Sequence, residues 1–223
     1  GSEMCIRDRF AGHYGSGKTN LALNHAVALR HAGEDVMICD LDIVNPYFRT
    51  KDSEEILAKE GIELICSRFA NSNVDLPSIP PKAEEMFSGD GRRVVIDLGG
   101  DDSGSVALGR YAPRIEREGG DMLLVINRYR YMTQHADEVI EIMREIEAVS
   151  HMRFTGVVNN SNLGAETTAE TVLDSVPFAQ EVCARSGLAL RATAYVEALD
   201  AQLSGRVEKP FPIRIFKKLI WDV

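Results

Sequence analysis

The chain lacks most of the features that announce a metal cluster, a membrane span or a nucleic-acid surface. Its four cysteines, Cys5, Cys39, Cys66 and Cys183, are scattered. No two form a CxxC pair, so neither a zinc site nor a dithiol redox motif is indicated. Scattered thiols of this kind suit a reducing, cytoplasmic setting. No apolar run is long enough to span a bilayer, and there is no signal-peptide pattern. A Pro/Gly/Ser-rich linker, a low-complexity tract and an internal repeat are all missing, which argues for one domain rather than an array. Positive charge is also short: 25 Lys and Arg stand against 34 Asp and Glu, a net charge of −9. Nucleic-acid binders carry a basic footprint, so that partner is not expected.

What is present is an ordinary globular composition, 44% hydrophobic and 26% charged over 223 residues, enough for one α/β domain with a sizeable core. Residues 1–9 read as a tag or non-native leader. Gly1-Ser2 has the look of a tag remnant, and Arg7, Asp8 and Arg9 stand where a buried parallel strand should read as near-continuous Val/Ile/Leu. Residues 10–223 are expected to form a single nucleotide-binding domain.

Along that domain, strands and helices alternate. Asn20–Ala32 is rich in Ala and Leu and stops at Gly33, a helix with glycine past its end. Apolar runs at Asp35–Leu41, Arg93–Leu98 and Asp121–Asn127 read as buried strands. Ile62–Ile65, Phe154–Asn159 and Leu188–Tyr195 are further strands. Helices are expected at Asp52–Glu60, Lys82–Phe87, Ser105–Glu118, Thr133–Val149, Thr168–Gly187 and Val196–Leu203, and Ser67–Pro81 is a loop. This alternation implies an α/β fold, a mostly parallel sheet of about seven strands with helices on both faces. The tail Phe211–Trp221 is apolar with two lysines. Pro210 and Pro212 favour an extended segment packed on the domain over a membrane-surface helix.

In such a sheet, ligands bind where the carboxyl ends of the strands meet their loops. There, Gly12-His-Tyr-Gly-Ser-Gly-Lys18-Thr19 satisfies G-x-x-x-x-G-K-[ST] in full. Its glycines let several N–H groups point at one phosphate. Lys18 supplies a mobile cation, the Thr19 hydroxyl can ligate Mg²⁺, and the following helix aims its positive end at the same place. The cradle therefore comprises Gly12, His13, Tyr14, Gly15, Ser16, Gly17, Lys18, Thr19 and Asn20. Asp97 ends the strand Val94–Asp97 and can hold Mg²⁺ through water, with Gly99 and Gly100 allowing close approach to a γ-phosphate. Asp40 and Asp42 alternate at the end of another strand and so face one side. Asp40 suits the metal's outer shell and Asp42 the positioning of an attacking water. Asn45–Arg49 reads either as a switch loop or as a turn with two anchoring aromatics. Arg128 and Arg130 flank Tyr129 just after a strand end; they read either as lining the substrate side or, by preference, as a solvated loop.

Taken together, Gly12–Thr19, the Asp40/Asp42 pair and Val94–Gly100 resemble the MinD/ParA/CobQ–CobB nucleotide-binding superfamily, of the SIMIBI class. That superfamily includes the nitrogenase iron protein, dethiobiotin synthetase and the cell-division and partition ATPases. The stretches GHYGSGKT, DLDIVNPYFR, VVIDLGGDD and GVVNNSNLG are similar to a branch of general P-loop ATP-binding proteins. The resemblance implies Lys18 and Thr19 for phosphate and Mg²⁺, Asp97 for the metal, Asp42 for water and Asn160 for the adenine edge. The loop near Tyr195–Glu197 would then pack against the base. Two departures matter. His13 replaces the second lysine by which many members reach a partner subunit's nucleotide, so a homodimer of the ATP-sandwich type is not a ready inference. No cysteine follows the relevant strands, so an iron–sulfur role is not expected.

The leading expectation is a slow MgATP hydrolase working as a nucleotide-dependent switch with a protein partner. A synthetase activating a small carboxylate substrate comes second, and a non-hydrolysing nucleotide-binding module third. GTP is disfavoured by the lack of an Asn-Lys-x-Asp motif.

Overall fold

The computed structural model describes residues 7–41, 54–66, 85–87, 91–99, 109 and 111–216. Its order is β1 (Arg7–Ala11), α1 (Lys18–His31), β2 (Val36–Leu41), α2 (Glu54–Lys59), β3 (Glu63–Cys66), β4 (Arg93–Leu98), α3 (Ala112–Glu118), β5 (Met122–Ile126) and α4 (Ala136–Ser150). There follow β6 (Gly156–Asn159), α5 (Ala169–Asp174), α6 (Val176–Ser186), β7 (Leu190–Val196), α7 (Asp200–Leu203) and β8 (Pro210–Ile213). The strands form one sheet of eight in the order β3-β2-β4-β1-β5-β6-β7-β8. Every pairing in it is parallel.

Strand alternation divides the core into two layers, one on each face. Met37, Cys39, Leu41, Val94, Ile96, Leu98, Leu124 and Ile126 pack with Ile115 of α3, Val139 and Met143 of α4, and Val182 of α6. Phe10, Val36, Ile38, Val95, Leu123 and Val125 pack with Leu21, Ala26 and Leu29 of α1 and Leu57 of α2. Burial on both faces is why β2, β4 and β5 read as unbroken apolar runs. The result is the expected three-layer α/β sandwich, with the helices split between the two faces.

Three local outcomes refine the expectations. β1 is a central strand between β4 and β5 despite its charges. Asp8 Oδ2 meets His25 Nε2 at 2.7 Å, and an Arg9 terminal nitrogen donates to the Gly120 carbonyl at 2.6 Å. Residues 1–6 lie outside the described residues. The tail supplies an eighth strand: β8 pairs with β7 through Thr193–Val196, and its prolines sit on the sheet edge where a missing N–H is tolerated. The helix expected from Thr133 starts only at Ala136, because the Thr133 hydroxyl instead donates back to the Asn127 carbonyl at 2.7 Å and closes a turn. Among the described residues, no helix is long and apolar enough to cross a membrane.

Candidate functional site

The loop between β1 and α1 is built on glycine. Gly12 has φ 148° and Gly17 φ 88°. A Cβ on Gly12 would lie 2.4 Å from the Val125 carbonyl oxygen, and one on Gly17 2.3 Å from Asn160 Nδ2. The Gly12 contact is with backbone that cannot withdraw, and both φ values lie in the region side chains rarely adopt, so the backbone path favours glycine at these positions. Helix α1 then begins at Lys18 with no side-chain cap and no acidic residue in its first turn. A helix N-terminus of this kind, with its positive end toward the loop, suits an anion. Lys18 is buried, and its Nζ donates to the His13 carbonyl at 3.1 Å, so the ammonium is folded across the loop it belongs to. Ser16 is buried too, and its Oγ has no hydrogen-bond partner among the described residues.

Two side chains from neighbouring strand ends hold this loop from outside. Asn160, just past β6, donates from Nδ2 to the Ser16 carbonyl at 2.7 Å. Arg130, past β5, donates from Nε to the Gly15 carbonyl at 3.1 Å. Arg130 is carried on a built turn. Asn127 Oδ1 accepts from the Tyr129 and Asn162 N–H groups at 3.0 and 3.2 Å. Arg128 reaches the Asp174 carbonyl at 2.5 Å, and the Tyr129 hydroxyl the Thr171 carbonyl at 2.7 Å. The Arg128–Arg130 loop is exposed at Arg130 yet tied by these hydrogen bonds, and Arg130 contacts the loop between β1 and α1.

The carboxylates come together on the opposite flank. Asp40 of β2 and Asp97 of β4 are register partners, and Asp97 is also the register partner of Phe10 in β1. Ile38 and Val95 face α1, so alternation puts Asp40 and Asp97 on the α1 side as well. Both are buried. With the Thr19 hydroxyl at the start of α1, the set is hard oxygen throughout. Among the described residues no group of three or more His, Cys, Asp or Glu side chains could hold a metal. The oxygen set of Asp40, Asp97 and Thr19 fits Mg²⁺, which takes one or two protein oxygens and completes its shell with phosphate and water. Asp42, Asn45–Arg49 and residues 100–104 lie outside the described residues.

His13 is half-buried, and burial first, then the Lys18 ammonium, push its pKa below the ordinary imidazole value. Both effects disfavour the imidazolium form in this loop. Tyr14, at the loop's tip, is 56% exposed. The expected base-side groups are more occupied than their sequence suggests. Asn160 spends an N–H on Ser16. Tyr195 donates its hydroxyl to Asp200 at 2.8 Å, and burial together with that bond raises its pKa to about 12. Asn20 turns its side chain away from the cradle, to the backbone of Arg214 and Phe216.

No protein-family model matches the chain, and no curated protein matches it in sequence. Solved structures match it in shape. FtsY from Mycoplasma mycoides superposes with a TM-score of 0.60 at 17% identity, over 86% of this chain and 60% of that one. The cell division protein FtsY from Thermotoga maritima gives 0.63 at 16% identity, over 88% and 64%. The signal recognition particle receptor FtsY from Elizabethkingia anophelis, in complex with GDP, gives 0.53 at 13% identity, over 87% and 58%. The chain thus spans less than two thirds of each of these proteins. What they share with it is the fold, an α/β P-loop NTPase-like fold built on a parallel sheet.

Proposed function

We propose that the chain binds a nucleoside triphosphate with Mg²⁺, ATP by preference, and acts as a slow hydrolase whose nucleotide state sets its contact with a partner. The observation that carries this reading is the juxtaposition at the β1 carboxyl end. A glycine-shaped loop, an uncapped helix N-terminus and Lys18 lie beside the in-register pair Asp40 and Asp97. Lys18 and the loop N–H groups would hold the β- and γ-phosphates, and Thr19 and Asp97 would hold Mg²⁺, with Asp40 in its outer shell. Bound Mg²⁺ would neutralise phosphate charge as it develops. Asp42 is assigned to orient the attacking water, as the family resemblance implies. Asn160, anchored to Ser16 through one N–H, keeps its second N–H and its side-chain oxygen for a base edge.

A guanine nucleotide is the second reading, raised by the GDP complex among the structural neighbours. Calorimetry separates them: MgATP is expected to bind at least about tenfold more tightly than MgGTP. Lys18→Ala is expected to weaken MgATP binding on the order of 100-fold, the loss of a charge-assisted phosphate contact. An unaltered dissociation constant in that variant would overturn the assignment.

A further inference from the structure

Asn20, directly after the Lys18-Thr19 pair, and Asn24 stand one turn apart on α1. Both reach the chain that follows β8. Asn24 Nδ2 donates to the Arg214 carbonyl at 2.8 Å, and its Oδ1 accepts from the Arg214 N–H at 2.8 Å. Asn20 Nδ2 donates to the same carbonyl at 2.9 Å, and its Oδ1 accepts from the Phe216 N–H at 3.0 Å. Two side-chain amides thus supply the hydrogen bonds that a neighbouring strand would have given. From the other side, Glu197, past β7, pairs with Arg214 Nε at 2.9 Å. Phe216 packs on the α1-side core, and Ile215 between them is 58% exposed.

The path of this segment is informative. β8 is the sheet edge and β1 is near its centre, with β5, β6 and β7 between them. Residues 214–216, leaving the carboxyl end of β8, therefore meet the first turns of α1 on the α1 side of the sheet. The carboxylates suited to the metal, Asp40 and Asp97, lie on the other side of β1, on β2 and β4. A nucleotide whose terminal phosphates and Mg²⁺ face β4 must lay its nucleoside the opposite way. That direction leads between the Asn160 loop and Arg214–Phe216. Tyr14, Tyr131, Met132, Leu163 and Ile215, the exposed large hydrophobics among the described residues, all follow the carboxyl end of a strand.

We propose that Arg214–Phe216, held on α1 by Asn20 and Asn24, forms the nucleoside-side wall of the site, so that base and ribose binding depends on the segment after β8. The proposal rests on the nucleotide reading above, and Asn20 and Asn24 act in it as positioning residues. The test compares Asn20→Ala and Asn24→Leu with wild type for MgATP and for magnesium tripolyphosphate, which has no nucleoside. Each variant is expected to lose roughly fivefold to tenfold in MgATP affinity, with tripolyphosphate affinity kept within about twofold. Equal loss for both ligands would show that the amides merely support α1 and would overturn the proposal, as would no loss for either. Asn20 is half-exposed, so its variant keeps the test decisive if Asn24→Leu fails to fold. In wild type, an 8-azidoadenosine triphosphate photolabel is expected on the peptide carrying Arg214–Phe216, and labelling confined to other peptides contradicts the proposal. Wild-type protein that binds tripolyphosphate but not nucleotide overturns the wall while leaving the phosphate loop standing. Binding of neither overturns the nucleotide reading and the wall together.

Discussion

At His13, burial and the ammonium of Lys18 both oppose protonation and hold the imidazole below its ordinary pKa. Between that lowered value and about 6.5 the unfolded chain binds this proton more readily than the native loop does. The sign follows: stability is complete above about pH 6.5 and is lost as pH falls through the folded value. Replacing the group with a side chain that cannot titrate removes the slope. His13→Gln is therefore expected to show a smaller drop in Tm between about pH 7.5 and about pH 5.5 than wild type, measured by thermal denaturation without nucleotide. Superimposable pH profiles would show that the buried, Lys18-flanked imidazole is not linked to folding.

Elements differ in how far their neighbours could be read from sequence. The P-loop was legible because its chemistry is local, with eight consecutive residues making a turn and starting a helix. β2, β4 and β5 were legible because burial on both faces leaves no polar alternation. β8 was harder, since prolines hide a strand unless it is known to lie at an edge. The outer supports of the loop were illegible for a topological reason. Asn160 and Ser16 are 144 residues apart in sequence, and Arg130 and Gly15 are 115 apart. Only the placement of β5 and β6 beside β1 brings them together. The turn after β5 thus supports the loop between β1 and α1. Arg130→Ala is expected to weaken MgATP binding roughly fivefold by freeing the Gly15 carbonyl. Arg130→Lys should not restore it, because a lysine has no donor fixed at the Nε position. Calorimetry on both variants checks this, and wild-type affinity in Arg130→Ala would remove the tether from the mechanism.

For the molecule as a whole, the question is what faces the open end of the sheet. Tyr14, Tyr131, Met132 and Leu163 expose apolar surface around the loop, which favours contact with another protein. A second copy of the chain is the simplest candidate, and two features oppose it. Each copy carries a net charge of −9, so face-to-face approach is resisted over a Debye length. A nucleotide shared across the interface would also need a permanent cation from the partner's loop near its phosphates. Position 13, directly after the loop's first glycine, holds a His whose pKa is lowered. A different partner, with surface that complements the arginine-bearing turn, meets neither objection. The chain is accordingly expected to sediment as a 24.6 kDa species both without nucleotide and with saturating MgATP. A species of twice that mass appearing only with MgATP would show that the dimer forms without the lysine, and would make the exposed aromatics its interface.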